Sequence, residues 1–214
     1  MNYFRLRDIT TPPFAYVVNR EEVIDSCNLC MMPFPQLKVP LQVEIFTTDP
    51  EHWKEQIVGQ PIMAESWVVG DQKFVEALEK ILPGLFHARP IEIVSFLKKT
   101  PYAMRQKSKE RTKNSPEPGA FFSLHPNVEI HLDRALKAQY PPIECPACNR
   151  SIPDIPFDVA VIPSIPDSRP LAGFMAELLF EGYDYIFHES VVESLQNHFP
   201  KMLFEEMNPE PLLF

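Results

Sequence analysis

The chain has 214 residues, 45% of them apolar and 23% charged, and a net charge of −9. That balance excludes an intrinsically disordered chain and fits either one large domain or two small ones sharing a core. No run approaches the roughly 20 apolar residues needed to span a bilayer, and the opening MNYFRLRDITTPP has no apolar stretch of signal-peptide length, so the expected location is the cytoplasm.

Two features of composition shape the expected fold and surface. There are 24 prolines against 6 glycines, and proline fixes φ and removes an amide donor, so short elements joined by rigid, extended connections are expected. Charge is unevenly spread. Residues 98–113 (KKTPYAMRQKSKERTK) carry seven basic side chains and one acidic, leaving −15 on the rest, and residues 177–214 hold eight carboxylates and one lysine. Such an acidic region repels nucleic acid and attracts a basic protein, and its competing reading is a solvated helix face.

In chain order, YFRLRD and PFAYVV favour β structure, and LKVPLQVEIF alternates apolar and polar residues from Leu37 to Phe46. AESWVVGDQKFVEALEKILPGLFHARPIEIVSFL reads as strand, helix, strand. WVV is extended, Asp71 is a plausible N-cap, Phe74, Val75, Leu78 and Leu82 fall at helical spacing, and Pro83 with Gly84 stops the helix. The lysine-rich run to Gly119, punctuated by PEPG, cannot bury itself and reads as an exposed loop. EIHLDRALKAQY places Ile130, Leu132, Leu136 and Tyr140 at roughly helical intervals, FDVAVIP is a strand, and YDYIFHESVVESLQNHFPKMLFEEM repeats strand, helix, strand.

That repetition can be followed residue by residue. Trp67, Val68 and Val69 match Tyr185, Ile186 and Phe187 at an offset of 118, and after a one-residue adjustment Phe74 to Leu78 match Val191 to Leu195, with Pro83 on Pro200. Cys27 and Cys145, and Cys30 and Cys148, also stand 118 apart. A shared period suggests duplication of a unit holding a Cys-x-x-Cys followed by strand, helix and strand; the competing reading is coincidence between two amphipathic helices. The expected class is α+β, mixed and strand-rich with short helices, with two related strand-helix-strand units joined at the cysteines. An N-terminal unit spans 1–97, a basic exposed loop 98–119 and a C-terminal unit 120–214, the two units being separate or sharing one core.

All four cysteines fall in CNLC and CPAC. This spacing lets a tight turn aim two thiolates at one metal while turn amides hydrogen-bond the sulfurs, and two such pairs complete a tetrahedron. Asn149 follows the second pair, where asparagine tolerates the left-handed conformation otherwise taken by glycine; Met31 stands in that place after the first. The expectation is one structural Zn²⁺ held by Cys27, Cys30, Cys145 and Cys148. Disulfides are disfavoured in a cytoplasmic setting, and a thioredoxin-like redox pair requires a cysteine opening a helix, which neither motif clearly does. Chance pairing of all four cysteines is the remaining alternative. Four thiolates leave the metal no open position, so such a site cannot activate water.

Catalysis is not signalled. The histidines form no compact metal pattern, and GxSxG, Walker A and GxGxxG motifs are absent. His188 with Glu189 and Glu193 has spacing that fits the exposed side of a helix. Trp67, inside an apolar strand, reads as core, and Trp53, among polar residues in DPEHWKEQ, reads as a contact candidate against the commoner half-buried helix position.

The two Cys-x-x-Cys pairs, each followed by a strand and a short helix, together with the closing FDVAVIP…GYDYIFHESVVESLQ…LFEEM, resemble the double-CXXCG immunity-protein family of myxobacterial type. Met31 and Asn149 stand where that signature has glycine. The resemblance covers most of the chain and implies a non-catalytic protein that binds and neutralises a bacterial toxin. The acidic surface fits independently, since an acidic inhibitor associates rapidly with a basic nuclease. The expected contacts are Glu177, Glu181, Asp184, Glu189, Glu193, Glu205 and Glu206, with Trp53; neither membrane nor nucleic acid is an expected partner. Two rivals remain: a zinc-ribbon nucleic-acid adaptor using the basic loop 98–113, against which the −15 elsewhere weighs, and an enzyme with an unrecognised site near His188.

Overall fold

The computed structural model describes residues 2–9, 13–23, 27–30, 39–47, 56–98, 121–131, 133–149, 151–152, 155, 163–164, 170–175 and 184–207. Its described elements in chain order are β1 (Tyr3–Ile9), β2 (Phe14–Val17), α1 (Arg20–Val23), β3 (Gln42–Thr47), β4 (Ile62–Ala64), β5 (Trp67–Asp71), α2 (Gln72–Ile81), β6 (Phe86–Pro90) and β7 (Glu92–Lys98). There follow β8 (Phe121–Pro126), β9 (Glu129–Ile130), α3 (Arg134–Gln139), β10 (Ile143–Glu144), β11 (Ser151–Ile152), β12 (Ala172–Met175), β13 (Tyr185–His188), α4 (Glu189–His198) and β14 (Met202–Glu206). The fold is mixed α+β, strand-rich with short helices, as expected. Among the described residues no helix is long and apolar enough to cross a membrane.

The two ten-residue helices begin and end for local reasons. Asp71 caps α2, its carboxylate accepting from the Phe74 amide at 2.9 Å, and Phe74 and Leu78 are buried one turn apart. The helix stops at Leu82, before Pro83 and the left-handed Gly84 (φ 70°). His188 caps α4 by accepting from the Ser190 amide, with Val191, Val192 and Leu195 buried behind it. His188 is therefore a buried residue at the end of β13, packed edge-on against Tyr3, and does not lie on an exposed helix face; only Glu189 and Glu193 do. Between Ile130 and Tyr140 the chain forms no single helix: Ile130 lies in β9, and α3 starts only after Asp133, which caps it. The strand expected from Leu37 begins at Gln42. Residues 37–38, the basic run 99–113 and FDVAVI of the expected strand lie outside the described residues.

Two main sheets result. One has the order β14-β1-β13-β12-β9 and the other β6-β8-β5-β4-β2-β3-β7, while β10 and β11 form a separate hairpin. The first five strands of each sheet correspond one to one. In both, the central pairings are antiparallel and the fifth strand is parallel to the fourth, β9 to β12 and β2 to β4. Register agrees as well. Phe4 faces Phe187 and Phe122 faces Gly70, so YFRL of β1 occupies the place that FFSL holds in β8.

The correspondence also revises the offset along β13 and α4. Val68 and Tyr185 both point into the core shared by the helices, and Asp71 and His188 both cap, so strand and helix run together at an offset of 117 with no adjustment between them. Matching Trp67 to Tyr185 would set a residue of one face against a residue of the other, because Trp67 belongs to a different core cluster.

One core joins the two sheets. It holds Leu6, Val68, Phe74, Leu78, Leu82, Leu124, Tyr185, Val191, Leu195 and Phe199, and the rings of Phe74 and Phe199 meet edge to face at 4.9 Å between the helices. Tyr185 enters the opposite sheet. Its hydroxyl donates to the Leu124 carbonyl at 2.7 Å and accepts from the Val68 amide at 3.1 Å, satisfying buried backbone groups of β8 and β5 beside the last paired residues, Val69 and Ser123.

Tyr185→Phe keeps the ring and removes both bonds, so it is expected to destabilise the protein by about 1–3 kcal/mol, measured by urea denaturation. Leu195→Ala, which empties the middle of the same core, is expected to cost roughly 2–5 kcal/mol in the same assay.

Candidate metal centre

The first cysteine pair follows α1, and the second sits at the end of the hairpin β10–β11, where Ile143 pairs with Ile152 and Glu144 with Ser151. Each pair is a turn: residues 28–30 and 146–148 are turn residues, and none of the described residues of either motif is helical. After the second turn the Asn149 amide donates to the Cys145 carbonyl at 2.8 Å with Asn149 at φ 57°, the left-handed conformation its side chain tolerates. Met31 lies outside the described residues.

The turns bring all four sulfurs together. Cys27 Sγ lies 3.7 Å from Cys145 Sγ, Cys30 Sγ lies 3.7 Å from Cys148 Sγ, and all four lie within 4.8 Å of one another. These contacts are far longer than a disulfide, about 2.05 Å, so the four sulfurs are thiols and not bridged cystines. They fit a metal instead: zinc–sulfur bonds of about 2.3 Å at tetrahedral angles place the sulfurs about 3.8 Å apart. Cys27 and Cys145 are buried, while Cys30 and Cys148 are partly exposed.

Both turns also prepare their thiolates. Amides of Cys30 and Leu29 donate to the Cys27 sulfur and hold its thiol well below the usual range, at about 6, against the opposing effect of burial. The Ala147 amide and, after the opposing effect of burial, that of Cys148 do the same for Cys145, again lowering its pKa. The two turns thus use equivalent amides to stabilise negative charge on sulfur, the form a metal requires. With four protein ligands, the centre has the chemistry of a closed structural site and leaves no position for a substrate. Spacing identified the four sulfurs; the amide donors belong to the turn backbone and carry no residue signature.

The predicted contact residues are only partly gathered. Glu189 and Glu206 meet at one end of the five-stranded sheet, where the Asn2 amide donates to Glu189 and the Asn2 side chain donates to Glu206. Glu193 is exposed on α4 and Glu205 on β14. Asp184 is not a surface contact: its side chain is 14% exposed and pairs with Arg5 at 3.5 Å. Trp53, Glu177 and Glu181 lie outside the described residues. Trp67 is core, 2% exposed.

Sequence reasoning passed over a second polar cluster. Ser123 and His125 are buried side by side on β8, with Oγ and Nε2 2.9 Å apart. Burial, with Arg89 and His87 nearby, pushes the His125 pKa down to about 3, so the ring is neutral at physiological pH. A serine and histidine two apart in a strand share a face, the one signal available.

Comparison with protein families, curated proteins and solved structures returned no significant match to this chain.

Burial raises the Asp184 pKa from 3.8 to about 6, only partly opposed by Arg5 and reinforced by Glu205. The folded state therefore holds this proton more tightly than the unfolded chain, and its contribution, complete below pH 3.8, is lost as pH rises through about 6. Asparagine stands in for the protonated acid. The stability of Asp184→Asn relative to wild type is expected to shift in the variant's favour between about pH 4 and 7, followed by melting temperature across that range.

Proposed function

We propose that this is a zinc-stapled immunity-type protein, which binds and neutralises a basic bacterial toxin by protein contact. The observation that carries the reading is the closed four-sulfur centre: its contacts fit a tetrahedral thiolate site, and such a site organises a surface without performing chemistry. Zinc fits this set best, because it accepts four thiolates without redox change or a demand for other geometry. The resemblance of the paired cysteines and closing segment to the double-CXXCG immunity proteins supplies the function class.

The carboxylates of Glu189, Glu193, Glu205 and Glu206 support the contact surface. They lie on α4 and β14, which the core holds rigidly, and they can attract the basic surface of a nucleic-acid-cutting toxin before close contact forms.

Purified protein is expected to contain about one zinc per chain by elemental analysis, and Cys30→Ser or Cys148→Ser is expected to lose it and to melt at lower temperature. For the partner, co-expression with a toxin encoded beside this gene should rescue growth, and Glu193→Lys combined with Glu206→Lys should slow association roughly tenfold or more at low salt. A neighbouring toxin that is neither bound nor neutralised sinks the reading; salt-dependent binding of DNA or RNA would put a nucleic-acid adaptor in its place.

A further inference from the structure

We infer that residues 3–98 and 121–206 are two copies of one unit, docked about a pseudo-two-fold axis with their first strands exchanged, and that the four-cysteine centre on this axis is the metal-dependent lock of the docking. The partner each half is built to recognise is the other half.

Exchange is visible in the strand orders. β1 opens the first copy yet lies between β13 and β14 of the second, and β8 opens the second copy yet lies between β5 and β6 of the first. Each copy supplies to the other the strand that it receives back, in the same register. This reciprocity is the mark of an isologous interface, in which residue i of one copy touches j of the other and j touches i. An alternative in which β1 and β8 merely extend adjacent sheets predicts no such agreement of order, direction and register.

Contacts between equivalent residues locate the axis. Cys27 meets Cys145 and Cys30 meets Cys148, both pairs 118 apart and both at 3.7 Å. Val68 meets Tyr185, 117 apart, through the amide and hydroxyl. Equivalent residues can touch only near the axis relating them, so the metal centre and the shared core both lie on it. Leu6 and Leu124, Leu78 and Leu195, and Leu82 and Phe199 enter that core as equivalent pairs. Each half thus contributes two of four metal ligands, and neither half alone can close the site.

Loss of the metal should loosen the docking before it unfolds either unit. β1 and β8, which pair entirely across the boundary, then open together, whereas β2, β3 and β4, which pair among themselves, stay closed. This inference rests on metal binding at the cysteines and is independent of the toxin reading.

The test is hydrogen exchange, followed by mass spectrometry, on the intact zinc-loaded chain before and after chelation, with zinc content measured on the same samples. The expected result is loss of protection in peptides covering residues 3–9 and 121–126 together, with protection kept over residues 14–17 and 42–47. Cys30→Ser and Cys148→Ser, which strike equivalent ligands, should give matching patterns. Opening of one exchanged strand without the other, uniform loss across the chain, or unchanged protection after zinc is removed would each overturn it, as would isolation of a chain that takes up no zinc.

Discussion

The two halves of this fold meet at one convergence: four sulfurs from two turns 118 residues apart lie within 4.8 Å of one another. A turn can aim two cysteines, but nothing local can bring two turns together. That task falls to the sheets and the shared core, and a metal bound there returns the favour by closing a long loop that the proline-rich chain would otherwise hold through packing alone. The amides aimed at Cys27 and Cys145 stabilise negative charge on these two sulfurs, and a metal held there would offset the repulsion between thiolates at this distance.

Symmetry explains why one point can serve both halves. In the two-fold arrangement inferred above, a site on the axis receives the same donors from each side, so each Cys-x-x-Cys would supply half of a tetrahedron. The exchanged strands extend the same logic to hydrogen bonding, since β1 and β8 fill equivalent gaps in sheets whose first five strands correspond. Departures from symmetry are equally informative. Tyr185 stands opposite Val68, and only the tyrosine has a hydroxyl to complete the neighbouring sheet. Among the described residues, β3 and β7 extend the sheet of the first half and have no counterpart in the other sheet.

The surface and interior divide the charges in a way that bears on recognition. Glu193, Glu205 and Glu206 remain in solvent, where they act at long range with little cost of desolvation, while Asp184 is drawn inside to Arg5 and resists ionisation. A count of carboxylates therefore overstates the acidic face. The proposed contact surface rests on residues held by α4 and β14, whose inner sides are anchored in the core.

Much was legible in the sequence. CNLC and CPAC named the four sulfurs that cluster, because aiming two cysteines at one point is a local property of a tight turn. Asp71 and the spacing of Phe74, Leu78 and Leu82 set α2, because capping and helical periodicity are likewise local. The left-handed Asn149 was readable from its place after CPAC. What the sequence could not decide was which strand lies beside which. YFRLRD reads as a strand in either sheet, and its pairing with β13 and β14 is settled by long-range register and by Leu6 entering the common core. The same holds for His188, whose neighbouring carboxylates imitate an exposed helix face although Tyr3, from the far end of the chain, covers it. Local chemistry was determined by residue order; the exchange of strands and the burial of Asp184 and His188 came only from tertiary contacts between the two halves.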